Sequence, residues 1–244
     1  MSARQLHLMV VGAHAFDAEV MAGHLIAKYT RAGHKATIVH LTMGEKGHKI
    51  LAPEEYAAQK KEEAKAAAKV LGADVRFLPY KDAELPADDD VKYALCDIIR
   101  ETKPNIIITH WKGSIHKDHI NTHLIVEDAR FYAALPAIQR ALPAHGAWGL
   151  FYAENWEDPE GFEIDTYVDI TDVFDQWVEA CHQYALGRGE VSSFRYMDYY
   201  QALATMRGCL AGYSRAAALM RPRGAHVRKG QALPGYELEQ LRGD

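Results

Sequence analysis

Leu6-His7-Leu8-Met9-Val10-Val11-Gly12-Ala13-His14-Ala15-Phe16-Asp17-Ala18-Glu19 is the stretch on which the architecture of this chain turns. Leu6 to Gly12 is an apolar run of strand length, rich in valine, and such a run reads as a strand buried on both faces. From Asp17 to Arg31 the residues Val20, Leu25, Ile26 and Tyr29 recur at helical spacing, and Gly33 closes the segment. A buried strand that feeds a helix through a short turn opens a parallel strand-helix-strand unit.

Outward from that stretch the unit repeats. Ala36 to Thr42 is again strand-like, and the Ala/Lys/Glu-rich segment from Pro53 to Leu71 predicts a strong helix ended by Gly72. Val75 to Leu78, a helix from about Asp90 to Thr102, and Ile106 to Thr109 follow. This alternation predicts a three-layer α/β sandwich with a mostly parallel, Rossmann-like sheet and right-handed crossovers. The first turn lacks Gly-x-Gly-x-x-Gly, which excludes a dinucleotide-binding site there. After Ala134, Leu135 to Pro143 is punctuated by proline, and Trp148 to Tyr152 and Thr166 to Ile170 read as strands flanking an acidic loop. Two helices are expected to finish the fold: Thr171 to about Leu186, capped by Thr171 or Asp172, and about Tyr196 to Met220. Residues 1–244 are read as a single domain: 1–134 carry the core and the site, 135–222 complete it, and 223–244 form a loose tail.

Composition narrows the function. The chain has 244 residues, 48% hydrophobic and 25% charged, enough for a substantial core without disulfides. A net charge of -5, with cations scattered among the acids, excludes a nucleic-acid or anionic-membrane footprint and leaves a small-molecule substrate. Cys96, Cys181 and Cys209 lie far apart in apolar helical patterns, so neither a disulfide framework nor a cysteine zinc site is expected. Leu8 to Ala13 is too short to span a membrane and has no cleavage pattern, so a reducing cytoplasm is expected.

In an open parallel sheet, ligands bind beyond the carboxyl ends of the strands. Histidines and carboxylates gather in three loops there: Gly12 to Asp17, Thr42 to His48, and His110 to His119. Catalytic zinc needs three nitrogen or oxygen ligands and one open position. His14 and Asp17 can approach one ion from a single turn, His119 can complete the triad from the neighbouring loop, and His116 would stand beside the metal. His110 ends a strand facing the crevice, and His123 reads as an orienting or surface group. His7, His34, His145 and His226 read as surface or turn residues. Taken alone, Gly12-x-His14 is a tight turn, and the charges from Glu54 to Lys69 are a solvated helix face.

Gly12-Ala13-His14, Asp17-Ala18-Glu19, Thr42-x-Gly44-Glu45-x-Gly47 and His116-x-Asp118-His119 together resemble the PIG-L (LmbE-like) de-N-acetylases. Val168 to Asp172, Arg207-Gly208 to Gly212, and Glu154 to Asp158 resemble later landmarks of that family. The resemblance implies that His14, Asp17 and His119 bind Zn2+, that His116 stabilises the tetrahedral intermediate and serves the leaving amine, and that Asp118 orients His116. The family's first motif normally reads His-Pro-Asp-Asp, and its first aspartate is the general base; here Ala15 and Phe16 occupy the middle positions. Glu45 or Asp118 is then the nearest replacement base by loop position, or the zinc water is acidic enough by itself, or the reaction differs. Ala217 stands where the family often has a glutamate, in a segment that by resemblance lies near the substrate mouth with Arg207 and Tyr213.

The expected activity is zinc-dependent removal of an N-acetyl or other N-acyl group from an amino sugar or its conjugate, with His116, Asp118 and Glu45 as catalytic residues. The alternatives are a zinc hydratase or lyase acting on an unsaturated carboxylic acid, for which Lys46, Lys112 and Lys117 are candidate cations, and a non-catalytic metal-binding module. Assembly as a homo-oligomer is also expected.

Overall fold

The computed structural model describes residues 5–158 and 160–222, so the expected tail, with His226, lies outside the described residues. Seven strands form one sheet: β1 (His7–Gly12), β2 (Lys35–Thr42), β3 (Asp74–Tyr80), β4 (Ile106–Thr109), β5 (Gly149–Ala153), β6 (Thr166–Asp169) and β7 (Ala216–Met220). Their order is β3-β2-β1-β4-β5-β7-β6. The first five are mutually parallel, and β7 runs antiparallel to both β5 and β6. The helices are α1 (Asp17–Arg31), α2 (Pro53–Leu71), α3 (Asp89–Thr102), α4 (Lys117–Ala134), α5 (Phe174–Cys181) and α6 (Tyr196–Ala211). The fold is the α/β sandwich with a mostly parallel sheet that the alternation predicts.

β1 shows why its sequence is apolar without a break. Leu8 and Val10 join the core built with α1, α2, α5 and α6, whereas Met9 and Val11 join the one built with α3 and α4. Successive side chains of a strand point to opposite faces, so a strand covered on both sides is apolar except where a buried partner meets a polar side chain, as Glu19 meets His40 in β2. Local chemistry fixes the helix ends: Pro53 opens α2, Gly72 closes it at φ 69°, and the Asp88 side chain caps α3 by accepting from Val91 N.

Two expectations about the second half are corrected. The helix expected from Tyr196 to Met220 stops at Ala211, with Gly212 at φ 77°, and Ala216 to Met220 become β7. Alanine favours helix intrinsically, but here pairing with β5 and β6 outweighs that preference, and the strand is fully buried. The helix expected from Thr171 to Leu186 is a short 3-10 turn, Thr171–Val173, followed by α5, which ends at Cys181. The chain then folds back so closely that a Cβ on Gly187 would lie 2.1 Å from the Cys181 carbonyl oxygen. Neither Thr171 nor Asp172 caps this segment. The Asp169 carboxylate accepts from Thr171 N at 2.9 Å and from Thr171 Oγ1 at 2.6 Å, while Asp172 binds Lys28 Nζ at 2.8 Å.

Candidate metal centre and active site

Connections leave β1 and β4 toward opposite ends of the sheet, and the crevice beyond the carboxyl ends of these two neighbours is where the site forms. The β1–α1 turn is tight: a Cβ on Gly12 would lie 2.9 Å from Ala18 N. Phe16 ends the turn at φ 98°, a left-handed conformation rare for a bulky side chain. Its ring is buried edge-on against Tyr184 and Tyr196.

The turn closes on Asp17, whose Oδ2 accepts from His14 N at 2.8 Å. The same oxygen lies 3.1 Å from His14 Nδ1 and 3.4 Å from His119 Nε2. One atom from each of His14, Asp17 and His119 thus falls within 4.8 Å of the others, which brings the expected metal triad together. The surroundings fit an ion. His119 Nε2 is buried without a hydrogen-bond partner, while His119 Nδ1 faces Ser114 Oγ at 3.3 Å and Asp158 Oδ1 at 3.4 Å. Partners on Nδ1 leave the Nε2 lone pair directed into the cluster, the arrangement a histidine ligand needs. His14 is held the other way round: its Nε2 meets Asp82 Oδ1 at 3.2 Å and Asp118 Oδ2 at 3.4 Å, leaving Nδ1 beside Asp17. Two further overlapping sets, His14-His116-Asp118 and His110-His119-Asp158, satisfy the same distance criterion.

Electrostatics support the same reading. Burial opposes charge on His14, but Asp17, Asp118 and Asp82 outweigh it and hold its pKa well above the ordinary histidine value. His119 is raised to about 9, because Asp17 and Asp158 overcome the burial that would lower it. Burial raises the Asp17 pKa, but His14 and His119 prevail and hold it well below the usual carboxylate range. The acids thus stabilise positive charge on this cluster, a role that a metal ion would take by displacing the protons.

The other expected residues fall as follows. His116 caps α4, and its Nδ1 accepts from Asp118 N at 3.1 Å. Burial, together with His14 and His119, lowers its pKa. The Asp118 carboxylate reaches His14 and Ala83 N (2.7 Å), and only its backbone N–H meets His116. Glu45 accepts from Asp82 N at 2.9 Å, and Asp82 in return accepts from Lys46 N at 2.9 Å. This reciprocal clasp joins the β2 and β3 loops; Asp82 lines the cavity over the metal triad, and Glu45 stands behind it. His110 is fully buried, stacked 4.0 Å from the His119 ring, with Nε2 accepting from Ala13 N. His123 is also buried and binds the His110 carbonyl through Nδ1.

A cavity of about 160 Å³ opens over the triad, lined by His14, Asp17 and His116, by Asn155, Trp156 and Glu157 of the stretch noted only for its family resemblance, and by residues the sequence reading passed over. Asp82, held at a pKa of about 2 by His14 against the effect of burial, lies in the loop after β3, the one strand-end loop left unread among the first four. Glu157 Oε2 stands 3.4 Å from His119 Nε2, and burial pushes its pKa up. Asp158 supports both His110 and His119. Lys60, read as part of a solvated face, is only 3% exposed and lines the cavity. Its place on the stripe Tyr56-Lys60-Ala64-Ala67-Leu71, buried throughout, was the signal that could have revealed it. Trp156, Asn155, Tyr196 and Tyr200 complete the wall.

The model of the PIG-L GlcNAc-PI de-N-acetylase family matches residues 9–130. A 4-oxalmesaconate hydratase of Pseudomonas putida is 31% identical over 221 residues, covering 86% of this chain and 83% of that one. A 1D-myo-inositol 2-acetamido-2-deoxy-alpha-D-glucopyranoside deacetylase of Geodermatophilus obscurus is 32% identical, but the match covers only 58% of each chain. Among solved structures, a 4-carboxy-2-hydroxymuconate hydratase from Pseudomonas putida KT2440 superposes with a TM-score of 0.81 at 25% identity, covering 93% of this chain and all of that one. The sheet order, the triad beyond β1 and β4 and these matches agree: the chain belongs to the PIG-L family, whose members include sugar deacetylases.

Proposed function

We propose that the chain is a zinc-dependent hydrolase that removes an N-acyl group from a polar, uncharged substrate of the amino-sugar class. The observation that carries this is the cavity wall. Opposite the His14-Asp17-His119 triad stand the rings of Trp156, Tyr196 and Tyr200 and the Asn155 amide, with Asp82 and Glu157 as acids and Lys60 as the one cation besides histidine among the lining residues. Aromatic faces and a few directed polar groups suit a sugar ring, and flanking acids suit the amine released.

His14, Asp17 and His119 would hold the zinc, which would supply Lewis acidity and make a water molecule acidic near neutral pH. Glu157, a carboxylate that lines the cavity 3.4 Å from His119 Nε2, takes the proton that the family's missing aspartate, here Phe16, would take, and passes it to the leaving amine. Asp118 N–H occupies His116 Nδ1, so neutral His116 carries its proton on Nε2. His116 lines the cavity, where that Nε2–H can donate a hydrogen bond to the oxyanion formed at the acyl carbon. Asp118 and Asp82 hold His14 as a ligand. Glu45 fixes Asp82 and acts through it.

A second reading, hydration of an unsaturated carboxylic acid, is favoured by the hydratase that matches most of both chains and by Lys60, which could anchor a carboxylate. Lys46, Lys112 and Lys117 do not support it, because none of them lines the cavity. The test is to challenge zinc-loaded protein with N-acetyl amino sugars, their conjugates and unsaturated dicarboxylic acids. Amine release, slowed about 10²- to 10⁴-fold by Glu157→Gln with zinc retained, is expected. Hydration without amine release sinks the proposal in favour of the second reading, and no turnover of either class leaves a metal-binding module.

A further inference from the structure

Apart from Trp156 and the two tyrosines, the apolar lining of the catalytic cavity is Ala15, Phe16, Val20 and Leu186. These four adjoin. Ala15 and Phe16 lead into α1, Val20 stands three residues beyond Asp17 on it, and a Cβ on Gly187, next to Leu186, would lie 3.2 Å from the Phe16 ring. Residues three apart on a helix share a face at about 5–6 Å between Cβ atoms, so Val20 stands beside the triad. An N-acyl amino sugar is covered with hydroxyl groups, and the alkyl end of its acyl group is the part that gains most from leaving water. This stretch of wall is where that end fits.

A second, smaller cavity of about 20 Å³ lies on the other side of Val20, with Met21, Leu203 and Ala204 among its walls and the Glu154–Arg207 ion pair at its edge. Val20 and Tyr200 line both cavities, and no other lining residue is shared. The partition is therefore these two buried residues. Tyr200 is fixed in place: its hydroxyl donates to Asn155 Oδ1 at 3.1 Å and accepts from Trp156 N at 3.4 Å. The space beyond the partition has room for about one water molecule and not for an alkyl chain.

We propose, on the hydrolase reading of this site, that Val20 and Tyr200 form the end wall of the acyl pocket and restrict the group removed to acetyl. A methylene group that a pocket refuses changes discrimination by about 10- to 200-fold. Trimming Val20 to alanine joins the two cavities and lengthens the pocket. Ala204 lines only the second cavity, so enlarging it refills the added space from the far side without touching the first.

The test uses zinc-loaded protein and two matched series. N-acetyl-, N-propanoyl- and N-butanoylglucosamine report turnover, while aceto-, propano- and butanohydroxamate, which chelate zinc through their head group, report binding by calorimetry. Parent protein should lose about 10-fold or more in kcat/KM and in affinity at each added methylene. Val20→Ala should recover about 10-fold or more of that loss for the butanoyl compounds relative to the acetyl ones, and adding Ala204→Val, which restores the volume removed, should cancel the recovery. Val20→Leu, the opposite change, should sharpen the preference for acetyl and serves if the alanine variant does not fold. A parent indifferent to chain length, a profile that neither Val20 variant alters, or a recovery that survives Ala204→Val overturns the proposal. The hydroxamate series needs no turnover, so it judges the wall by itself: the expected series with no amine released from any sugar upholds the end wall and counts against the hydrolase reading alone.

Discussion

His24 makes the acid sensitivity of this fold calculable. It lies on α1, 6% exposed, its ring 5.0 Å from that of Trp177 and its Nδ1 without a hydrogen-bond partner. Burial alone pushes its pKa down from 6.5 to about 3. The native value lies below the unfolded one, so the unfolded state takes up the proton first. Stability from this residue is complete above about pH 6.5 and declines as the pH falls toward 3. Between pH 7.5 and pH 5 the loss is about 2 kcal/mol, and any native pKa below about 4 gives the same figure. His24→Leu removes the titration and leaves every other group in place. Urea unfolding of parent and variant at both pH values should show the parent losing about 2 kcal/mol more than the variant, whatever their difference at neutral pH. Because contributions shared by the two proteins cancel, a double difference under about 0.5 kcal/mol would mean that the native protein accommodates a charged His24 and that the burial argument is wrong.

Purified protein should carry one zinc per chain, and Asp17→Ala or His119→Ala should abolish it and lower the melting temperature measured with zinc present; unchanged zinc content in both variants refutes the ligand set. His116→Ala should retain zinc yet slow amide cleavage about 10²- to 10³-fold, as loss of a hydrogen-bond donor to the oxyanion does, and a variant as fast as the parent removes His116 from the chemistry. Asp118→Asn separates the two roles open to that carboxylate. If it holds His14, zinc affinity should fall about 10- to 100-fold, the usual scale for a partner of a metal ligand, whereas a drop in turnover at full zinc occupancy would return it to His116.

The sequence by itself determined the sheet through β4, the helices that cover it and the loops that bear the triad. These are local properties. A strand covered on both faces is predominantly apolar, as Leu8 to Val11 are; an amphipathic helix must repeat its apolar stripe; and strand-end loops in an open α/β sheet converge on one crevice. His14, Asp17, His116 and His119 could therefore be gathered before any contact was seen. Only the tertiary structure decided the rest. Ala216 to Met220 are a strand because β5 and β6 offer backbone partners on both sides, which helix preference cannot register. Asp118 turns to His14 instead of its sequence neighbour because, at the start of α4, its carboxylate faces across the crevice. Glu157 and Asp158 join the cluster from a loop about forty residues beyond His119, and Lys60 and Asp82 reach it from α2 and the end of β3. Even where a local pattern marks a charge as buried, as the α2 stripe marks Lys60, its partners are named only when distant segments meet, because the field at a buried group is set by every element packed around it and not by its neighbours in the chain.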